Sequence, residues 1–204
     1  MLLHRIQQHI VDGADLQYQC AQAVGPALEA AVGALLASLT AGGKVLVWGT
    51  GVSAALAQSF VAQMVGRFER ERPELAALAL GVDAALATSA PIGAPPGASP
   101  MVRQLRALGL PGDTLLVISA VPDAPDALAA IEAAHEREMT VVLLASARPG
   151  VLADVLRPTD VLVAVPTERP ARVHEAHLVA LHAIGDAIDV QLLGDETEAE
   201  IFEP

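Results

Sequence analysis

"KVLVWGTGVSAALAQSF", residues 44–60, decides the fold. An unbroken apolar run, Val45 to Trp48, ends in the turn Gly49-Thr50-Gly51 and passes directly into an alanine-rich stretch with helical spacing. Continuous apolar strands of this length are buried on both faces, which is the environment of a parallel sheet covered by helices. The same alternation extends outward. Apolar runs recur at Leu75–Leu80, Thr114–Ile118, Thr140–Leu144 and Val161–Val165, mostly separated by helix-length segments. Upstream, apolar residues at helical spacing over 3–22 and 25–41 predict two leading helices, the second stopped by Gly42-Gly43. A last long helix is predicted from Ala171 to Leu193. The pattern as a whole predicts a doubly wound α/β domain.

No repeat or interdomain linker interrupts it, so residues 1–194 are expected to form a single domain, with a helical pair at 1–42 and an αβα core at 43–194. The acidic end, 195–204, reads as a frayed tail, and "APIGAPPGASP" (90–100) as a long loop within the domain.

Composition narrows the functions. With 53% hydrophobic and 18% charged residues over 204 positions, the chain can bury a sizeable core. Twenty-four acidic against twelve basic side chains give a formal charge of -12, the wrong sign for direct nucleic-acid binding or for an anionic membrane surface. The apolar stretches are broken by Gly, Pro or charge, and the N-terminus lacks the apolar core of a signal peptide, so a cytoplasmic protein is expected. Cys20 is the only cysteine, which excludes an internal disulfide and a cysteine-built zinc site.

Ligands of such sheets bind beyond the carboxyl ends of the strands, where the opening stretch turns. Gly49 and Gly51 let the backbone approach an anion, and Ser53 offers a hydroxyl at a helix start whose N–H groups favour negative charge. The turn is not a full dinucleotide fingerprint, because Ala54 stands at the third glycine position.

"GKVLVWGTGVSAALAQSFVAQMVGRFERERPELAALAL", followed by "QLRALGLPGDTLLVIS", "EREMTVVLLA" and "ARVHEAHLVALHAIGDAID", resembles the sugar isomerase (SIS) domain family over essentially the whole chain. Its similar branch contains the phosphoheptose isomerases and DiaA, the DnaA initiator-associating protein. The resemblance implies a three-layer αβα sandwich of the flavodoxin-like kind with a five-stranded parallel sheet, a homotetramer, and phosphosugar sites where subunits meet.

Departures from the family pattern fall at its working positions. The first loop of the isomerases reads Gly-Asn-Gly-Gly-Ser; here Thr50 and Val52 replace the Asn and a Gly, while Ser53 is kept. The Ser/Thr-rich second phosphate loop becomes "SAVPDAP", which keeps Ser119 but removes most donors. Pro122 has no N–H, and Asp123 is placed to cap the next helix with its carboxylate, repelling an anion. Phosphosugar binding is therefore expected to be weak, at Gly49, Thr50, Gly51, Ser53, Ser119 and Asp123.

Aldose–ketose isomerisation needs a group that shuttles a proton between adjacent carbons. The family's paired His and Glu align with Ser59 and Gln63, neither able to act as a carboxylate base, and its Gln and His on the last helix align with His174 and His182. Separations of four and eight residues keep each pair on one helix face, roughly 40° and 80° apart. The family's Asn-Asp in the loop after the second strand is absent from "SAPIGAPPG", which offers no acid. His174 and His177, one turn apart, could share a metal, and the alignment marks His174 and His182 as metal positions, with zinc the implied ion. "RFERER" (67–72) alternates in sign and reads as a surface or interface salt-bridge network.

These departures lead to the expectation of a catalytically silent SIS protein that acts through protein contacts, with DnaA as the partner the branch implies. The alternatives are a phosphoheptose isomerase, converting sedoheptulose 7-phosphate to D-glycero-D-manno-heptose 7-phosphate, and a phosphosugar-sensing module.

Overall fold

The computed structural model describes residues 1–88 and 99–195. Five strands, β1 (Val45–Gly49), β2 (Ala77–Ala79), β3 (Thr114–Ile118), β4 (Thr140–Ala145) and β5 (Val161–Ala164), form one sheet in the order β2-β1-β3-β4-β5. Every pairing is parallel, with Val45 opposite Thr114 and Thr114 opposite Thr140. The helices are α1 (Leu2–Thr40), α2 (Val52–Val65), α3 (Ala84–Ala87), α4 (Pro100–Leu108), α5 (Pro125–Glu136), α6 (Val151–Asp154) and α7 (Pro170–Leu193).

The two-residue period of the strands sorts side chains into two cores. Val45 and Val47 join Leu116, Ile118, Val142 and Leu144 under α1, α2 and α7. Leu46 and Trp48 face the other way, with Leu115, Val117 and Leu143, under α4, α5 and α6. This is the αβα sandwich with a five-stranded parallel sheet expected from the sequence.

Two leading helices are not what forms. Residues 2–40 are a single helix that runs through Gly25 and Pro26. Pro26 removes one backbone donor, but Leu16, Cys20 and Val24 before it and Ala31, Val32 and Leu35 after it are buried in the same core, which anchors both halves as one helix. The helix does stop at the predicted place, where Gly42 takes a φ of 85°.

By length and composition α1 and α7 could each cross a bilayer. Both are claimed by the fold instead: α7 packs against α1, α2 and the sheet through Val173, Ala176, Leu181, Ile184 and Ile188, and α1 packs on β5 and α7. The first turns of α1 lie outside that packing and leave Leu2, Leu3, Ile6 and Ile10 exposed.

Candidate functional site

The turn after β1 has the shape its glycines predict. A Cβ on Gly49 would lie 2.5 Å from the Ser53 carbonyl oxygen, so only glycine allows the strand end to pass this close to the start of α2. Gly51 is the N-cap residue, at φ 57° and ψ -126°, a conformation open to glycine and strained for other residues. The turn is closed by Ser53 N–H to the Thr50 carbonyl at 3.1 Å and Ala54 N–H to the Gly51 carbonyl at 3.1 Å. Thr50, Gly51 and Val52 are exposed, whereas Ser53 is buried beneath them.

The loop after β3 is a self-contained turn. Ser119 Oγ donates to the Val121 carbonyl at 2.8 Å and accepts from the Val121 N–H at 3.4 Å, so the retained hydroxyl is tied to its own loop. The loop after β4 repeats the device, Ser146 Oγ donating to the Arg148 carbonyl at 3.2 Å. Asp123 does not cap α5. The N-cap residue is Ala124, Pro125 occupies the first turn, and the first-turn acid is Asp126. Pro125 fixes the helix start one residue beyond the reach of Asp123, whose exposed carboxylate lies instead beside Gly150, at the entry of α6.

A second cluster forms where α2 and α7 approach. A Cβ on Gly185 would sit 3.5 Å from Phe68 Cγ and 3.8 Å from Gln63 Oε1, so the helices meet at a glycine. Phe68 lies against His182, with ring centroids 5.3 Å apart. Gln63 Oε1 is buried and has no hydrogen-bond partner among the described residues. Ser59 lies one turn earlier on α2 and is half-buried, as is His182. The structure thus brings Gln63 and His182 into one cluster. From Ser53 to Gln63, ten residues of one helix, the axial distance is about 15 Å.

The last-helix histidines separate in role. His177 is fully buried, its Nε2–H pointing to the Ala145 carbonyl at 3.2 Å, and its Nδ1 has no partner among the described residues. Burial, opposed by the Ala145 hydrogen bond and reinforced by neighbouring His174, holds its pKa down at about 4. His174 is lowered too, by burial. The Ala145 carbonyl takes Nε2, so Nδ1 is the one ring nitrogen of His177 left for a metal, and it is buried. Among the described residues no three His, Cys, Asp or Glu side chains converge. Zinc takes at least three protein ligands, and positions 59 and 63 offer only a hydroxyl and an amide, so the residues present do not fit it.

The sequence reading gives Phe68 and Asp189 no role at the site and places Arg72 only in a surface or interface salt-bridge network. Arg67 pairs with Glu71 at the surface, as expected of "RFERER". Arg72 instead turns inward to Asp189, with both side chains 1% exposed. Its partner is 117 residues away in sequence, a contact that only the fold reveals.

A glycine turn ending the first strand of a five-stranded parallel αβα sheet, with a polar cluster on the flanking helices, defines a doubly wound α/β domain with its candidate site at the start of α2. The SIS domain model matches residues 10–146, and the chain belongs to that family. It is 47% identical over 197 residues to the phosphoheptose isomerase of Methylibium petroleiphilum, covering 96% of this chain and 98% of the relative. The structure of the phosphoheptose isomerase from Neisseria gonorrhoeae superimposes with a TM-score of 0.85 at 35% identity, covering 93% of this chain and 99% of that one. The Francisella tularensis phosphoheptose isomerase does so with a TM-score of 0.87 at 34% identity, covering 93% and 98%.

These relationships overturn the expectation of a non-catalytic protein acting through a partner. The near-full-length relatives carry the name of an enzyme, and a partnership with DnaA finds no support in them.

Proposed function

We propose that the chain is a sugar-phosphate isomerase of the phosphoheptose isomerase kind, acting on sedoheptulose 7-phosphate. The observation that carries this reading is the similarity to phosphoheptose isomerases, 37–47% identical along nearly the whole chain. In this reading the exposed turn Thr50-Gly51, with Ser53 behind it, receives the phosphate, helped by the N-terminal end of α2. The carbonyl end of the sugar reaches the Gln63–His182 cluster. A separation of about 15 Å along α2 suits an open carbon chain better than a closed ring.

Gln63 cannot ionise, so His182 carries the proton between the adjacent carbons. Phe68 holds the imidazole in place. The enzyme works as a homotetramer in the cytoplasm, with the exposed apolar start of α1 buried between subunits.

The test is conversion of sedoheptulose 7-phosphate, followed by separation of the ketose and aldose phosphates. Turnover is expected, and His182→Ala should reduce it by about 10²–10⁴. A wild-type protein that binds the sugar phosphate but never interconverts it would end this reading.

A further inference from the structure

Next to the Gln63–His182 cluster lies an ion pair to which the isomerase reading gives no task. Arg72 Nε donates to Asp189 Oδ1 at 2.5 Å inside the protein. The rest of the guanidinium serves backbone carbonyls: Nη2 donates to Gln63 at 2.8 Å, and Nη1 to Met64 at 2.9 Å and to Pro73 at 3.2 Å. Gln63 and Met64 belong to the last turn of α2, where carbonyls lack partners within the helix and a cation is favoured. Arg72 therefore holds the backbone of Gln63 itself.

The other end of the pair is just as specifically placed. Asp189 lies seven residues beyond His182 and four beyond Gly185 on α7, so all three share a face within roughly 60°. Gly185 marks the close approach of α7 to Gln63 and Phe68. A buried ion pair is a poor choice where stability alone is wanted, because well-packed apolar residues usually do as well or better. What a guanidinium adds is a rigid planar fork that fixes several acceptors at once.

We infer that Arg72 is a positioning residue for the isomerase reaction: paired with Asp189, it sets the backbone of Gln63 on α2 against the face of α7 that carries His182. The inference rests on the isomerase reading above. A fastener with no bearing on the site would be replaceable by apolar packing; a positioning fork would not.

The experiment compares wild type with Arg72→Met/Asp189→Leu and with Arg72→Lys. The apolar double variant should melt within a few degrees of wild type, while kcat falls on the order of 10²-fold, as expected when reacting groups are displaced. KM, set at the phosphate end by Thr50 to Ser53, should hold. The His182 imidazole C–H resonance, identified by its absence in His182→Ala and placed by Phe68 beside it, should shift in the double variant. Full kcat together with wild-type stability would reduce the pair to a fastener and overturn the inference. If the double variant does not fold, Arg72→Lys decides, since it keeps a charge for Asp189 but loses the fork: unchanged kcat overturns the inference, and a loss of kcat at constant KM supports it. If wild type shows no turnover, the isomerase reading fails by itself, and an unshifted His182 resonance in the folded variant then overturns the positioning role.

Discussion

Phe68 lies against His182 with ring centroids 5.3 Å apart and planes tilted by 42°, a contact that links the segment following α2 to the middle of α7. Tilted aromatic pairs contribute about 0.5–1.5 kcal/mol beyond their buried area, enough to bias the orientation of a half-buried imidazole. Phe68→Leu keeps apolar bulk and loses the ring. We expect kcat to fall about tenfold with little change in melting temperature, since small displacements of a reacting group are costly to rate. Saturation kinetics on the two proteins check this; an unchanged kcat would free His182 from any dependence on Phe68.

Gln63 offers the reverse experiment. Its amide stands where the related isomerases are expected to place a carboxylate, and its Oε1 is buried beside α7. Gln63→Glu introduces a second proton-transfer group close to His182, and general acid–base catalysis by one positioned group contributes about 10²–10⁴. The variant should turn over faster than wild type, by about 10². A slower Gln63→Glu enzyme would mean that the amide is itself the adapted group.

The two glycines of the first turn should behave differently. At Gly49 an added Cβ meets the backbone of Ser53 at 2.5–2.6 Å, which side-chain movement cannot relieve, so Gly49→Ala should disrupt the turn and raise KM for the sugar phosphate. At Gly51 there is space, with no heavy atom within 4 Å, but φ is 57°. Gly51→Ala should then cost about 1–3 kcal/mol of stability from backbone strain alone. Urea denaturation and KM measurements on both variants separate steric from conformational roles.

Strands were legible because burial on both faces removes alternation and leaves plain apolar runs, as at Val45–Trp48 and Thr114–Ile118. The second strand shrank to Ala77–Ala79 because it is an edge, with Leu78 exposed, and an apolar run there extends beyond the paired residues. Gly25-Pro26 read as punctuation, yet the buried stripe on either side outweighed one lost hydrogen bond. Gly49, Gly51 and Ser53 were readable since a glycine turn is a local property. Arg72 with Asp189, and Phe68 with His182, were not, because each pair meets only after α7 docks on α2. The expectation of a silent protein rests on residues 59 and 63 and on the altered loop after β3, where local departures stand for loss of the reaction. Two positions change which group can move a proton, whereas 47% identity over 197 residues speaks for the chain as a whole.

Exposed Leu3, Ile6 and Ile10 recur at helical spacing on the first turns of α1, outside the intrachain packing. A tetramer that buries this stripe should weaken when charge is placed on it. Ile6→Glu/Ile10→Glu is expected to shift light-scattering mass from tetramer toward smaller species at micromolar concentration, with far-ultraviolet circular dichroism unchanged. A wild-type monomer under the same conditions would remove this assembly.

His177 should make stability fall with acid in a defined window. Its ring is fully buried and neutral, and burial lowers its pKa from 6.5 to about 4. Between those values the unfolded chain binds a proton that the folded chain does not, so stability rises with pH through the window. The contribution is fully present above pH 6.5 and is lost progressively as pH falls towards 4, to a total of roughly 3 kcal/mol. His177→Gln keeps a donor for the Ala145 carbonyl and cannot titrate. The variant should lose part of the wild-type stability at neutral pH while flattening the slope between pH 6.5 and 4. Urea midpoints across that range are the check, and a variant as acid-sensitive as wild type would move the acid response to another group.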